Sequence, residues 1–148
     1  MSVHIIKLIV GCEDLEDYAH WQAAQETDYE AASGGRAVPC LTRFMPKKAD
    51  EVLRSGGSLY RVLKSRIVCR QKICGFEMVK TAQKGTMCAI MLEPEIYTCL
   101  NAPHRPFQGW RYFDAAKAPP DRGLYTIGQS LNAPPEEMAE DLKAAGLL

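Results

Sequence analysis

The chain has 148 residues, of which 47% are hydrophobic and 24% are charged, and these values are ordinary for a soluble globular domain. No apolar run approaches the roughly 20 residues that a membrane-spanning helix needs, and the first residues lack the basic stretch and long apolar run of an export signal. We therefore expect a single domain over residues 1–148, a cytoplasmic location and no membrane partner.

The net charge of zero hides an uneven distribution of charge along the chain. Residues 1–35 hold seven acids and one base, whereas residues 36–84 hold twelve bases and three acids. Residues 85–148 hold five bases and eight acids. Two interpretations fit this pattern: the middle third builds an anion-binding face, or the bases and acids pair across a solvated surface.

The first third predicts a strand followed by one long helix. The run 3–10 is rich in β-branched residues and leucine and is short enough for a buried strand. The acidic run 13–17 suits a first helical turn, because acids there offset the helix dipole. We expect this helix to end before Ser33, Gly34 and Gly35.

The rest of the chain predicts mostly strands. The run 66–78 alternates most clearly, with Ile67, Cys69 and Gln71 on one face and Arg66 and Arg70 on the other. Strands are predicted at 39–45, 58–64, 66–78, 86–92, 96–99, 107–113 and 124–127, and helices at 46–53 and 134–146. This order predicts an α+β fold with a curved, mostly antiparallel sheet and one long N-terminal helix.

The six cysteines and three histidines show no metal-binding spacing, and no C-x-x-C pair occurs. We therefore expect free and mostly buried thiols, no metal and no cofactor. Cys12 precedes the predicted helix, a position that can lower the pKa of a thiol.

The segment 105–112 concentrates recognition chemistry. Arg105 and Arg111 offer guanidinium forks for oxyanions, Gln108 offers a flat amide, and Phe107 and Trp110 offer stacking faces. We expect the segment to line a concave pocket beside the basic strand residues near 64 and 70. The ligand-binding residues that the sequence predicts are Arg43, Tyr60, Lys64, Arg66, Arg70, Gln71, Arg105, Phe107, Gln108, Trp110 and Arg111.

Bases interleaved with aromatic residues are typical of nucleic-acid and nucleotide sites. We therefore expect a non-enzymatic binding module for RNA, a modified nucleotide or another small planar anionic ligand. Two alternatives remain open: a small enzyme acting on a phosphorylated or nucleotide-like substrate in the same pocket, and a protein-interaction module with a basic face.

Four segments together resemble a family of small proteins, found chiefly in alphaproteobacteria and numbered 1489 among the domains of unknown function. The segments 5–8, 56–64, 67–75 and 105–112 read IIKL, GGSLYRVLK, IVCRQKICG and RPFQGWRY. The chain departs from the family pattern at one point, because Tyr60 is followed by Arg61 where the family has Tyr-Trp. The resemblance implies no particular activity.

A weaker resemblance is architectural. A strand, a helix and then a curved sheet with one basic and one late aromatic strand is similar to the pseudo-barrels of the PUA, ASCH and EVE group. That resemblance implies a PUA-like pseudo-barrel and an association with RNA or modified bases, and it rests on fold-level analogy.

Overall fold

The computed structural model describes residues 2–127, and of Asn101 the backbone alone; the helix expected at 134–146 lies outside this range. Nine strands and two short helices follow one another along the described chain. Their order is β1 Val3–Leu8, α1 Leu15–Gln25, β2 Thr27–Asp28, β3 Arg36–Thr42, α2 Ala49–Arg54, β4 Ser58–Leu63, β5 Arg66–Thr81, β6 Gly85–Leu92, β7 Tyr97–Pro103, β8 Trp110–Asp114, a 3-10 turn Ala115–Lys117, and β9 Asp121–Leu124.

The strands form one mixed, mostly antiparallel sheet. Its main path runs β2-β3-β6-β5-β4-β1-β8, and β7 joins β5 and carries β9. Among the strand pairs within residues 2–127, only β1 and β4 run parallel. The fold is α+β with a curved sheet that does not close into a barrel, so the expected PUA-like pseudo-barrel is not confirmed.

The prediction of one long N-terminal helix is wrong. Helix α1 spans 11 residues, begins after an Asp14 cap whose carboxylate accepts the Asp17 N–H at 2.9 Å, and ends at Gln25. Glu26 then adopts extended backbone, and Thr27 and Asp28 pair with β3. The sequence contains no Gly or Pro at this point, so the pairing with β3, rather than a local breaker, ends the helix.

The alternation along β5 follows the expected pattern. Ile67, Cys69, Gln71 and Ile73 are buried, whereas the residues between them are exposed or half-buried. The buried side of this sheet region faces α1, and Tyr18 of that helix is almost fully buried against Cys69. The sheet and α1 thus enclose the region in which the candidate site lies.

Gly57 allows β1 and α2 to approach the start of β4. A β-carbon at this position would overlap the Val3 carbonyl oxygen and press on Val52. We expect Gly57→Ala to lower the free energy of unfolding by about 2–3 kcal/mol, because backbone must shift to make room. Urea denaturation measures this change. Gly34→Ala is the matched control, because open space surrounds Gly34, and equal losses in both variants would contradict the explanation.

Candidate anion-binding site

The segment 105–112, which the sequence predicts to bind a ligand, leads into β8 beside a groove that is partly lined by aromatic side chains. The Arg111 guanidinium carbon lies 5.1 Å from the Phe107 ring centroid, and the His104 ring lies 5.1 Å from the same centroid. The groove has a volume of about 440 Å³, and its lining includes His104, Arg111, Phe113, Lys117 and one carboxylate, that of Asp114. We call this surface the basic–aromatic groove; Phe107 lies beside it, against Arg111.

Two further predicted residues share the sheet face of Arg111. The pairing register places Arg111 opposite Ile6, Ile6 opposite Tyr60, and Tyr60 opposite Arg70. Residues directly opposite one another point to the same side of a sheet. Tyr60 is nevertheless buried, so this row does not form one continuous exposed surface from Arg111 to Arg70.

Arg70 is held by internal partners. Its Nε and Nη2 donate to the two Asp121 carboxylate oxygens at 2.8 and 2.6 Å, and its Nη1 donates to the Ser58 hydroxyl at 2.9 Å. The hydrogen bonds to Asp121 raise the pKa of Arg70. On the same strand, Lys72 lies 4.0 Å from the Glu93 carboxylate. The basic row of β5 is thus largely paired with acids.

Gln71 lies in the core, away from the groove. Its Oε1 accepts the Tyr18 hydroxyl at 2.5 Å, and its Nε2 donates to the Gln22 side chain at 2.7 Å and to the Glu93 carbonyl at 3.1 Å. Gln71 is fully buried. Its amide is therefore committed to a structural network that links α1 to β5.

The remaining predicted residues are scattered. Trp110 lies on the opposite sheet face from Arg111 and packs against the core cluster that contains Ile5. Lys64 lies 4.0 Å from the Glu13 carboxylate. Four further predicted side chains are exposed: Arg43, Arg66, Arg105 and Gln108.

A second cavity contains a residue that the sequence interpretation did not select. Arg61 lies in the middle of β4, is only 5% exposed, and lines a cavity of about 380 Å³ between α1, β1 and β3. We call this the Arg61 cavity. Its other lining residues are Lys7, Leu8, Ile9, Val10, Cys12, Tyr18, Trp21, Gln25, Pro39, Cys40, Leu41 and Lys84.

Arg61 has only neutral partners within residues 2–127. Its Nη2 donates to the Leu8 carbonyl at 2.8 Å, and its Nη1 lies 3.3 Å from the Tyr18 hydroxyl and 3.5 Å from the Cys40 sulfur. The Nε atom has no hydrogen-bond partner. A guanidinium has five N–H donors, and the structure leaves the Nε donor and part of the Nη2 capacity unused.

A buried guanidinium without a carboxylate is unusual for energetic reasons. Removing a cation from water costs several kcal/mol, and a counter-charge with good hydrogen bonds normally offsets this cost. No Asp or Glu among residues 2–127 lines the Arg61 cavity. An oxyanion in the cavity would supply the missing charge beside the guanidinium.

The cavity holds no activated nucleophile in the described part of the chain. Burial raises the pKa of the Cys12 thiol, and Asp17 raises it further, so Cys12 is not the low-pKa thiol that its place before α1 suggested. Burial likewise raises the pKa of Tyr18. All six cysteines are free, with four buried and two half-buried. Within residues 2–127, no group of three acidic, His or Cys side chains is arranged to hold a metal ion.

The pattern of β4 contains the evidence that could have identified Arg61. Leu59, Arg61 and Leu63 occupy the same face of β4, and Arg61 is the one charged residue of that strand. A cation at an inward position of an otherwise apolar strand predicts a buried charge that needs a partner. The charge count of the middle third does not distinguish Arg61 from the exposed bases around it.

Comparison with known proteins places the chain in a family and adds no function. The family model described as "Protein of unknown function (DUF1489)" matches residues 5–148, which confirms the family resemblance of the sequence. No curated protein matches the chain. No solved structure matches it either. No helix within residues 2–127 has the length and apolar character needed to cross a membrane.

Proposed function

We propose that this chain, which belongs to the DUF1489 family, is a non-enzymatic binding module for a small anionic ligand that is held in the Arg61 cavity. The observation that carries the proposal is Arg61 itself: a guanidinium 5% exposed, with an unpartnered Nε and no carboxylate neighbour within residues 2–127. The ligand supplies the counter-charge that the fold leaves out.

The residues that line the cavity favour binding over catalysis. Neither a carboxylate nor a histidine among residues 2–127 lines it, so the commonest general bases are missing from the described lining. The Cys12 thiol has a raised pKa. The alternative of an enzyme acting on a phosphorylated substrate would need such a group. The free thiols also fit the cytoplasmic location that we propose.

Inorganic phosphate tests the proposal at the level of a simple oxyanion. Ligand binding to the folded state alone stabilises it by about 2.7 kcal/mol when the free ligand is at 100 times its Kd. We expect phosphate to raise the Tm of the wild-type protein above that in chloride at equal ionic strength, and to leave the Tm of Arg61→Met unchanged. Arg66→Met is the matched control, because Arg66 is exposed and does not line the cavity.

A rise in Tm that is equal in wild type and in Arg61→Met would contradict the proposal, because phosphate would then act on the surface. The absence of any rise in wild type with phosphate, sulfate and acetate would also contradict it. Arg66→Met must respond like wild type for the comparison to be valid.

A second candidate function is the binding of single-stranded RNA at the basic–aromatic groove. The observation that favours it is the stacking of the Arg111 guanidinium over Phe107, beside the His104 ring and with Lys117 in the same groove. Cations beside aromatic rings are elements that hold single strands. The backbone N–H of His104 donates to the Ser65 carbonyl at 2.9 Å, which places the basic turn at 64–66 next to the groove.

Salt dependence tests the RNA candidate. We expect a short oligouridylate to bind at low salt, with an affinity that falls steeply as salt rises, because phosphate contacts release counterions. Arg111→Ala should weaken binding and reduce the salt slope by about one. Fluorescence anisotropy measures both quantities. Arg43→Ala is the control, because Arg43 lies outside the groove, and equal losses in both variants would point to a diffuse charge effect.

A further inference from the structure

We propose that the ligand of the Arg61 cavity is a phosphate monoester that carries a planar ring, which is the chemistry of a mononucleotide. This inference rests on the proposed function, because it specifies the chemical class of the anion in the same cavity. Three features of the cavity carry it: its charge, its aromatic wall and its size.

The charge of the cavity exceeds what a carboxylate neutralises. Lys7 and Arg61 are direct register partners on the parallel strands β1 and β4, and Lys84 lines the same cavity. Like charges placed directly opposite each other destabilise a sheet. Lys7 and Lys84 have no ion pair within the described residues. A phosphate monoester has a charge near −2 at neutral pH and three acceptor oxygens, so it matches this set of donors better than a monoanion does.

The wall of the cavity offers a stacking surface. Trp21 of α1 lines the cavity and is 48% exposed, although a tryptophan on a helix that packs on the core normally has less contact with water. Its ring is roughly parallel to that of Tyr18, with centroids 6.2 Å apart. Pro39 and Leu41 line the cavity on the β3 side. A flat ring bound here would cover exposed apolar surface of Trp21 and Leu41.

The volume and one further polar group complete the match. A volume of about 380 Å³ falls at the lower end of the range for small-ligand sites. It suits a single ring with one phosphate rather than a longer chain. Gln25 also lines the cavity, and its amide can donate to and accept from the polar edge of a ring.

Two pairs of probe compounds test separately the contribution of the anionic group and that of the planar ring. Phenyl phosphate and benzoate share a ring and differ in the charge of the anion. Adenosine 5′-monophosphate and ribose 5-phosphate share a phosphate and differ in the planar base. We expect wild-type protein to favour the first member of each pair by about tenfold in Kd, measured by isothermal titration calorimetry.

Two variants assign these preferences to residues. Trp21→Leu should remove most of the preference for adenosine 5′-monophosphate while binding of ribose 5-phosphate persists. Lys7→Met should remove most of the preference for phenyl phosphate over benzoate. Trp110→Phe is the control, because Trp110 does not line the cavity, and it should keep both preferences.

The outcomes distinguish an error in the ligand class from an error in the proposed function. If all four probes bind with similar Kd values and Arg61→Met abolishes their binding, the ligand class inferred here is wrong and the proposed function stands. If none of the four probes binds, or if Arg61→Met binds them as wild type does, the proposed function itself is overturned.

Discussion

Replacement of Arg61 by Met should abolish anion binding and at the same time raise the stability of the unliganded protein. Met matches Arg only as far as the Nε atom and has no charge, so it fills the inner part of this space in β4 without the desolvation cost of a buried cation. We expect the free energy of unfolding without ligand to rise by about 1–3 kcal/mol, because replacing buried charge by packed apolar groups is commonly neutral or stabilising. The lost hydrogen bond to the Leu8 carbonyl limits the gain.

A fall in the free energy of unfolding of Arg61→Met would indicate that Arg61 stabilises the fold. Breaking a buried ion pair by removing one partner costs about 3–5 kcal/mol. If Arg61→Met loses stability on that scale in urea denaturation, Arg61 serves the fold and not a ligand. Arg61→Lys keeps the charge but loses the planar fork, and we expect it to bind oxyanions more weakly than wild type.

Replacement of Gln71 by Leu should produce the largest loss of stability among single changes in the polar core. The change removes the acceptor of the Tyr18 hydroxyl and the donor to both the Gln22 side chain and the Glu93 carbonyl. Each buried polar group left without a partner costs about 1–3 kcal/mol. We expect the free energy of unfolding to fall by about 3–5 kcal/mol, and urea denaturation measures it.

Gln108→Leu is the matched control for this change. Gln108 is exposed and precedes β8, so its replacement should change the free energy of unfolding by less than about 0.5 kcal/mol. A loss below about 1 kcal/mol for Gln71→Leu would show that the network between α1 and β5 contributes little, because neighbouring groups then find other partners.

The fold could be predicted from sequence where buried and exposed residues alternate along a strand. The alternation of β5 was readable because Ile67, Cys69 and Ile73 point inward and charged residues stand between them. The end of α1 was not readable, because the pairing of Thr27 with Ala37 decides it and that contact is distant in sequence. The length of a helix or strand could be predicted from its own residues only where no strand distant in sequence pairs with its end.

The site was less predictable, because a sequence shows which groups exist and not which groups meet. Arg70 was selected as a ligand-binding residue, yet Asp121 reaches it from 51 positions away. Gln71 was selected for its amide, yet Tyr18 occupies that amide. Within residues 2–127 no carboxylate lines the cavity around Arg61, and this follows from tertiary contacts such as that between Tyr18 and Arg61, which a sequence does not show.

Anomalous scattering from crystals soaked in selenate, a tetrahedral oxyanion that selenium makes visible, tests most directly whether the Arg61 cavity binds anions. We expect a selenium peak in the Arg61 cavity, beside the Arg61 guanidinium, in wild-type crystals, and no peak there in crystals of Arg61→Met. Peaks confined to exposed bases such as Arg66 and Arg105, with none in the cavity, would contradict the claim that this cavity binds anions.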